Sequence, residues 1–307
     1  MRIVSAEEVH AALPLPALAD AIAEALLAQT VAPVRHAHSV ADDGTLLMMP
    51  AWSPTALGVK LVTVMPGNST HDRPTVQALY LAFDRSTGAP AALIDGEALT
   101  LRRTAAASLL AARYLARADA RELLVIGTGQ LAPMMARAHC AERPDAHVRV
   151  WGRRAEAARA VATRLRTEGF LADAVDDLEA AVRAADIVCC ATTATQPIVR
   201  GAWLRPGTHL DLVGAFKRSM READDAAIAR CRIVVDTYAG ALTEAADLLE
   251  PLERGVIERS AIVAELAELV AGTRRGRVAA SDITLFKSVG TSIEDLAAAQ
   301  MLLARSP

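Results

Sequence analysis

The sequence predicts an α/β protein, in which a Rossmann-type doubly wound parallel sheet is joined to a smaller α+β domain. Three observations predict it. Beyond residue 120, short apolar runs alternate with helical stretches. A glycine-rich turn, Gly127-Thr128-Gly129-Gln130-Leu131-Ala132, links the first of those runs to the helix after it. Before residue 100, strand-like runs follow one another with little helix between them. Alternation of strand and helix marks a parallel sheet covered on both faces, whereas consecutive strands argue for an antiparallel or mixed sheet.

Residues 16–29 carry apolar side chains at helical spacing. Residues 45–50 and 57–65 read as strands, and so do 76–83 and 89–94. The last two flank Asp84-Arg85-Ser86-Thr87-Gly88, a hairpin turn signal. Residues 97–116 form a long helix rich in alanine and leucine, with no Gly or Pro to interrupt it. The apolar runs 122–126, 147–151, 170–175, 186–190, 208–213 and 232–236 follow. Most are separated by helical stretches such as 130–142, 154–166 and 177–184. Residues 292–304 make a final amphipathic helix, expected to return to the first domain. The predicted domains are 1–118 with 288–307, and 119–287.

Composition removes several classes of function. With 307 residues, 52% of them hydrophobic, the chain has enough apolar material for two cores and little reason to be disordered. Aromatics at 3% give few platforms on which bases could stack. A net charge of -3 gives no electrostatic pull toward nucleic acid or an anionic membrane. No window of eighteen residues is both apolar and uncharged, so no transmembrane helix is expected. The N-terminal MRIVSAEEVH has charges where a signal peptide needs an apolar run. Cys140, Cys189, Cys190 and Cys231 form no C-x-x-C pair and read as buried thiols of a reducing compartment. A cytoplasmic protein is therefore expected.

The glycine turn has the context that gives such a motif meaning. It follows the strand-like ELLVI and opens the helix QLAPMMARAHC. Gly127 permits the tight turn, Gly129 lets the backbone approach a pyrophosphate, and Ala132 keeps helix and strand close. The pyrophosphate would then meet the unpaired N–H groups and dipole of the helix N-terminus. A cofactor with a free ribose 2′-hydroxyl calls for an acid at the end of the second strand. Here that strand ends Val150-Trp151-Gly152-Arg153-Arg154. Two guanidinium groups suit a 2′-phosphate, which points to NADPH with NADH as the alternative. Arg153 and Arg154 could equally do no more than solvate a helix start.

In the first domain, Lys60 sits within the apolar strand LGVKLVTV, either on a solvent face or aimed into a pocket. Arg102 and Arg103 lie early in the long helix, where a step of about 100° lets one face out and the other in. Arg35 is ambiguous on its own. His36, His38 and His71 lack a helical or hairpin ligand frame, so no metal site is expected.

Five separated stretches carry a resemblance that covers nearly the whole chain. They are Gly58-Val59-Lys60 through Pro66-Gly67-Asn68, and Leu99 to Leu115 with Arg103-Thr104-Ala105-Ala106. The glycine turn, Val213-Gly214-Ala215, and Phe286-Lys287-Ser288-Val289-Gly290 through Glu294-Asp295 complete the set. In this order they resemble the ornithine cyclodeaminase/mu-crystallin family, and within it the bacterial ketimine reductases. The resemblance implies NAD(P)H-dependent reduction of Δ1-pyrroline-2-carboxylate to L-proline and of Δ1-piperideine-2-carboxylate to L-pipecolate, with substrate bound by the first domain. The strands of that domain are hydrophobic, with no obvious helices to cover both faces, so a homodimer built by it is expected, supported by the helix 97–116.

It also implies roles. Lys60 and Arg103 match positions that bind the substrate carboxylate, Arg35 matches a third, and Val289 joins them at the substrate. Thr75 and Arg103 match cofactor contacts, Gln130 and Leu131 offer backbone contacts at the pyrophosphate, and Leu212 and Val213 lie along the cofactor. Ser288 and Val289 match a loop that closes over the nicotinamide. One departure stands out. Cyclodeaminases carry an aspartate where this chain reads Phe216, which can neither take a proton nor pair with an ammonium group. That argues against ornithine cyclodeaminase. An amino-acid or opine dehydrogenase acting on an open-chain 2-oxo acid, and a non-catalytic NADPH-dependent binding protein, remain as alternatives. The residues leave the proton donor to the imine open between water and Lys60.

Overall fold

The computed structural model describes residues 1–40, 44–71 and 73–304, with the side chains of residues 69–71 left out. It divides into two compact units, Met1–Ala106 with Thr291–Pro307, and Ala107–Gly290. The expected division at 118/119 sits at the end of the long helix. The observed one falls inside it, because sequence punctuation marks where a helix stops and not where its packing partners change.

The first unit begins with β1 (Arg2–Val4), α1 (Ala6–Ala12) and α2 (Leu15–Leu27). Ser5 and Glu8 form a capping box that fixes the start of α1. There follow β2 (His36–Ser39), β3 (Thr45–Trp52), β4 (Leu57–Val64), β5 (Val76–Phe83), β6 (Pro90–Asp95) and α3 (Gly96–Leu115), which runs on into the second unit. The six strands form one mixed sheet in the order β1-β6-β5-β4-β3-β2, antiparallel except that β1 runs parallel to β6. The β5–β6 turn forms as its residues dictate. Asp84 Oδ1 accepts the backbone amides and hydroxyls of Ser86 and Thr87, and Gly88 takes φ +73°. The final helix, α11 (Ser292–Ala304), belongs to this unit and packs on α2, β3 and β4. Alternation along β4 sends Gly58, Lys60, Val62 and Val64 to the buried face and Val59 and Leu61 to the other.

The second unit contains β7 (Glu122–Ile126), α4 (Leu131–Ala141), β8 (His147–Trp151), α5 (Ala155–Thr167), β9 (Ala172–Ala174), α6 (Leu178–Ala184), β10 (Ile187–Cys190) and β11 (His209–Leu212). It continues through α7 (Asp225–Ala229), β12 (Arg232–Val235), α8 (Tyr238–Glu244), α9 (Ala246–Glu253), β13 (Ile262–Glu265), α10 (Leu266–Val270) and β14 (Thr284–Lys287). All strand pairs are parallel, in the order β13-β12-β14-β11-β10-β7-β8-β9. This is the doubly wound sheet. Chain order reverses between β7 and β10, and the crevice beyond the carboxyl ends of such a pair is where ligands bind. Among the described residues no single helix is long and apolar enough to cross a membrane.

Candidate active site

In the first unit, chain pairing and burial build a cluster of charges around Lys60. The residue lies on an inner strand, opposite Met49 of β3 and Tyr80 of β5, and is 1% exposed. Its Nζ donates to Asp295 Oδ1 at 2.8 Å and lies 3.4 Å from the Thr100 hydroxyl. Of the adjacent arginines, Arg103 turns inward. Its Nη1 meets Glu294 Oε2 at 2.7 Å, and its Nε lies 3.0 Å from Asp295 Oδ1. Arg102 is spent elsewhere, with its Nε donating to Nδ1 of His10. Arg35, half-buried, is near enough to disfavour protonation of Lys60.

Lys60 and Arg103 meet the carboxylates of Glu294 and Asp295 in one buried cluster of charges, with Arg35 acting on Lys60 from nearby. Burial and the neighbouring Arg103 bring the Lys60 ammonium down to about 8, against the opposing pull of Asp295. A lysine so placed can hold a carboxylate and give up a proton near neutral pH. The sequence alone gives Glu294 and Asp295 no role. Acids in the first turn of a helix are ordinary dipole partners, and only their burial, 1% and 0% exposed, separates these two from that use. Thr75, expected at the cofactor, lies in this unit, half-buried, with its carbonyl accepting the Met65 amide.

In the second unit, Gly127, Gly129, Arg153 and Arg154 of the expected nucleotide residues line one cleft of about 780 Å³. Gly127, Thr128 and Gly129 line it after β7, Trp151 to Arg154 after β8, and Ala191 to Ile198 after β10. Gly127 has φ +129°, and a Cβ there would meet the Ala191 carbonyl at 2.4 Å. A Cβ at Gly129 would meet nothing within 4 Å, so the backbone at this point is open to a close-lying group. Ala132 is wholly buried, as close packing of α4 on the sheet demands. Gln130 is the N-cap of α4, followed by Leu131. Arg153 and Arg154 are exposed on the cleft wall. These residues fit a dinucleotide.

The remaining expected residues are placed as follows. The Leu212 side chain belongs to the core, which restricts it to backbone contacts. Val213 is 7% exposed at the end of β11. Ser288 and Val289 are held from below by Asp236. Its Oδ2 accepts the Ser288 hydroxyl and the amides of Val289 and Gly290, and Gly290 takes φ +84°. Phe216 packs half-buried against the core cluster of this unit.

His36 and His38 are exposed on β2, and the side chain of His71 lies outside the described residues. One grouping is invisible to sequence spacing: His139, Cys189 and Asp211 are buried with their ligand atoms within 4.8 Å of one another. Burial and the adjacent Asp211 hold the Cys189 thiol well above its usual range. Asp211 already accepts the Ser108 hydroxyl and contacts His139 Nε2, each at 3.2 Å. The group reads as a hydrogen-bonded part of the core.

The chain is similar to known proteins over most of its length. The model of the ornithine cyclodeaminase/mu-crystallin family matches residues 1–306. The Δ1-pyrroline-2-carboxylate reductase of Paracoccus denitrificans is 42% identical over 257 residues, covering 82% of this chain and 81% of its own. The structure of Thermococcus litoralis Δ1-pyrroline-2-carboxylate reductase with NADH and L-proline is 35% identical. It superposes with a TM-score of 0.95 over 99% of this chain and 97% of that one. An archaeal alanine dehydrogenase dimer with bound NAD is 29% identical, with a TM-score of 0.93 over 99% of this chain and 95% of that one.

Proposed function

Because the chain belongs to the ornithine cyclodeaminase/mu-crystallin family, we propose that it is an NADPH-dependent ketimine reductase. It reduces Δ1-pyrroline-2-carboxylate to L-proline and Δ1-piperideine-2-carboxylate to L-pipecolate. The observation that carries the reading is the buried Lys60–Arg103 pair, held against Glu294 and Asp295, with a lysine titrating near 8. Lys60 and Arg103, with Arg35, hold the substrate carboxylate by charge-assisted hydrogen bonds. Lys60 donates a proton to the imine nitrogen: an Nζ–H bond breaks, a ring N–H bond forms, and the lysine is left neutral against Asp295. Protonation makes C2 electrophilic. The reduced nicotinamide, when bound, is the source of the hydride that C2 receives. Gly127, Gly129, Gln130 and Leu131 hold the pyrophosphate, Leu212, Val213 and Ser288 lie along the cofactor, and Val289 meets the substrate. Turnover of the two cyclic imines with NADPH, beside 2-oxo acids with ammonia, tests this reading. The archaeal alanine dehydrogenase likeness makes the open-chain oxo acid the second reading. Phe216 removes the carboxylate that a cyclodeaminase needs.

Preference for NADPH rests on Arg153 and Arg154 at the cleft wall and on the missing acid at the end of β8. Arg153→Ala is expected to raise KM for NADPH about tenfold, the lower end of the worth of a charge-assisted hydrogen bond, since the group is exposed. KM for NADH should change little. Equal changes for both cofactors would remove the phosphate assignment.

The assembly we propose is a homodimer formed by the open face of the six-stranded sheet. Met48, Leu61 and Leu79 line up across three strands there, beside Val59, Leu81 and Leu93. Leu61 and Leu79 are 38% and 49% exposed. An apolar sheet face of this extent is a partner surface, and a second copy is the occupant supported by the dimeric archaeal relative. Leu61→Asp with Leu79→Asp is expected to give a folded monomer by light scattering at micromolar protein. A monomeric native protein would contradict the proposal. The free, buried thiols of all four cysteines suit a cytoplasmic setting.

A further inference from the structure

One wall of the nucleotide cleft, Thr192 to Ile198, has almost no regular structure of its own, yet its position is fixed at both ends by a single residue. Glu222 is 1% exposed. Its Oε1 accepts the Thr192 amide at 2.8 Å and the Thr192 hydroxyl at 2.9 Å. Its backbone carbonyl accepts the amides of Ile198 and Val199, both at 2.9 Å. Between these points the Ala194 carbonyl accepts the Arg221 amide at 2.9 Å. The second carboxylate oxygen reaches the next strand end. Oε2 accepts the amides of Gly214 and Ala215 at 2.9 and 3.1 Å.

Gly214 must be glycine for this to close, since a Cβ there would lie 2.2 Å from Thr192 backbone and 2.4 Å from Glu222 Oε1. Two further buried charges complete the arrangement. Lys287 Nζ donates to the Ala215 carbonyl at 2.6 Å and lies 3.2 Å from Asp247 Oδ2. Asp247 Oδ1 in turn accepts the amides of Glu222 and Ala223 at 2.9 and 3.1 Å.

We infer that Glu222 is a positioning residue for the cofactor, a buried clamp that sets the Thr192–Ile198 wall of the cleft against the Gly214–Ala215 turn, backed by Lys287 and Asp247. The inference rests on the dinucleotide reading of the cleft. The chemistry calls for an acceptor at both oxygens. Three of the four groups facing them are backbone amides, which can only donate, so an amide side chain would turn hydrogen against hydrogen at one of them. Burial lifts the Glu222 carboxyl to about 7 while Lys287 opposes the rise, so the clamp is ionised in mildly alkaline buffer. Glu222 lies behind the wall and forms it, without touching the reacting atoms.

The experiment is direct NADPH binding at pH 8, read by the cofactor's own fluorescence, for the native protein and for Glu222→Gln, with thermal unfolding measured in parallel. Glu222→Gln keeps the volume and replaces one acceptor with a donor. The expected result is a Kd for NADPH weakened tenfold or more in folded protein, with KM for NADPH raised and KM for the imine unchanged. A variant that unfolds at lower temperature but binds NADPH with the native Kd has lost only stability, and overturns the proposal. If Glu222→Gln does not fold, Thr192→Val decides. It removes one hydroxyl donor to Glu222 and keeps its shape, and is expected to weaken NADPH about threefold; an unchanged Kd overturns the clamp. Failure of the native protein to bind either NADPH or NADH would instead sink the dinucleotide reading.

Discussion

Lys60→Met is expected to lower kcat/KM for Δ1-pyrroline-2-carboxylate by about 10³-fold or more. General-acid transfer is worth roughly 10²–10⁴-fold, and a charge-assisted hydrogen bond to the carboxylate adds about 1.5–3 kcal/mol. The two are not independent, so the lower bound is the safe one. Methionine is close to lysine in length and Asp295 keeps Arg103 as a partner at 3.0 Å, but a buried carboxylate loses one of its cations, so thermal unfolding is measured beside the rate. NADPH binding should be unchanged. The pH dependence carries the assignment. Lys60 must be protonated to act as donor and titrates near 8, so native kcat/KM should fall as pH rises through about 8. The falling limb should vanish from the residual activity of Lys60→Met. A limb that stays in place in the variant would assign it to the substrate imine and leave Lys60 without its catalytic role.

Arg103→Ala is expected to cost about 10²–10³-fold in kcat/KM, from the lost carboxylate contact and from misplacement of C2 in a site that works by orientation. It should also damage the protein. Glu294 and Asp295 are 1% and 0% exposed, and removing the guanidinium leaves buried negative charge uncompensated, a loss of about 3–5 kcal/mol. Thermal unfolding and initial rates of NADPH oxidation check the two parts separately. Arg103→Lys should restore much of the stability but little of the rate, because an ammonium cannot offer the planar fork. A variant with native stability and native rate would remove Arg103 from the site.

The parts of the fold legible in the sequence are those with a strong local cause. The Rossmann unit was readable because each long β/α pair punctuates itself, and β7, β8 and α11 appear with the boundaries their residues predict. The strands β13 and β14, four residues each, were not. An IVAE or a TLFK is too short to show a period, and both are held as strands only by parallel neighbours distant in sequence. The β4–β6 meander was readable because the Asp84–Gly88 turn carries its own hydrogen bonds.

For the site, the motifs located Lys60, Arg103 and the glycine turn, but spacing left Lys60 undecided between solvent and pocket. Its place on an inner strand with Asp295 at 2.8 Å settles that geometry. The buried acids went unassigned. Asp295, Glu222, Asp236 and Asp247 look like surface residues in a list of letters, and each has partners 25 residues or more away in the chain. Their meaning is in the folded geometry, where each gathers amides or cations that no other residue could satisfy.

The central claim is reduction of a cyclic ketimine without deamination of the open-chain diamine, and one measurement tests it most directly. Native protein is supplied with Δ1-pyrroline-2-carboxylate and NADPH in one arm and with L-ornithine and NAD in the other, with proline, ammonia and cofactor oxidation state all measured. The account predicts one L-proline formed for each NADPH oxidised in the first arm, and neither proline nor ammonia above background in the second. Release of ammonia from ornithine would contradict it, because the amine would then be handled by a group other than Phe216. So would a failure to turn over the ketimine.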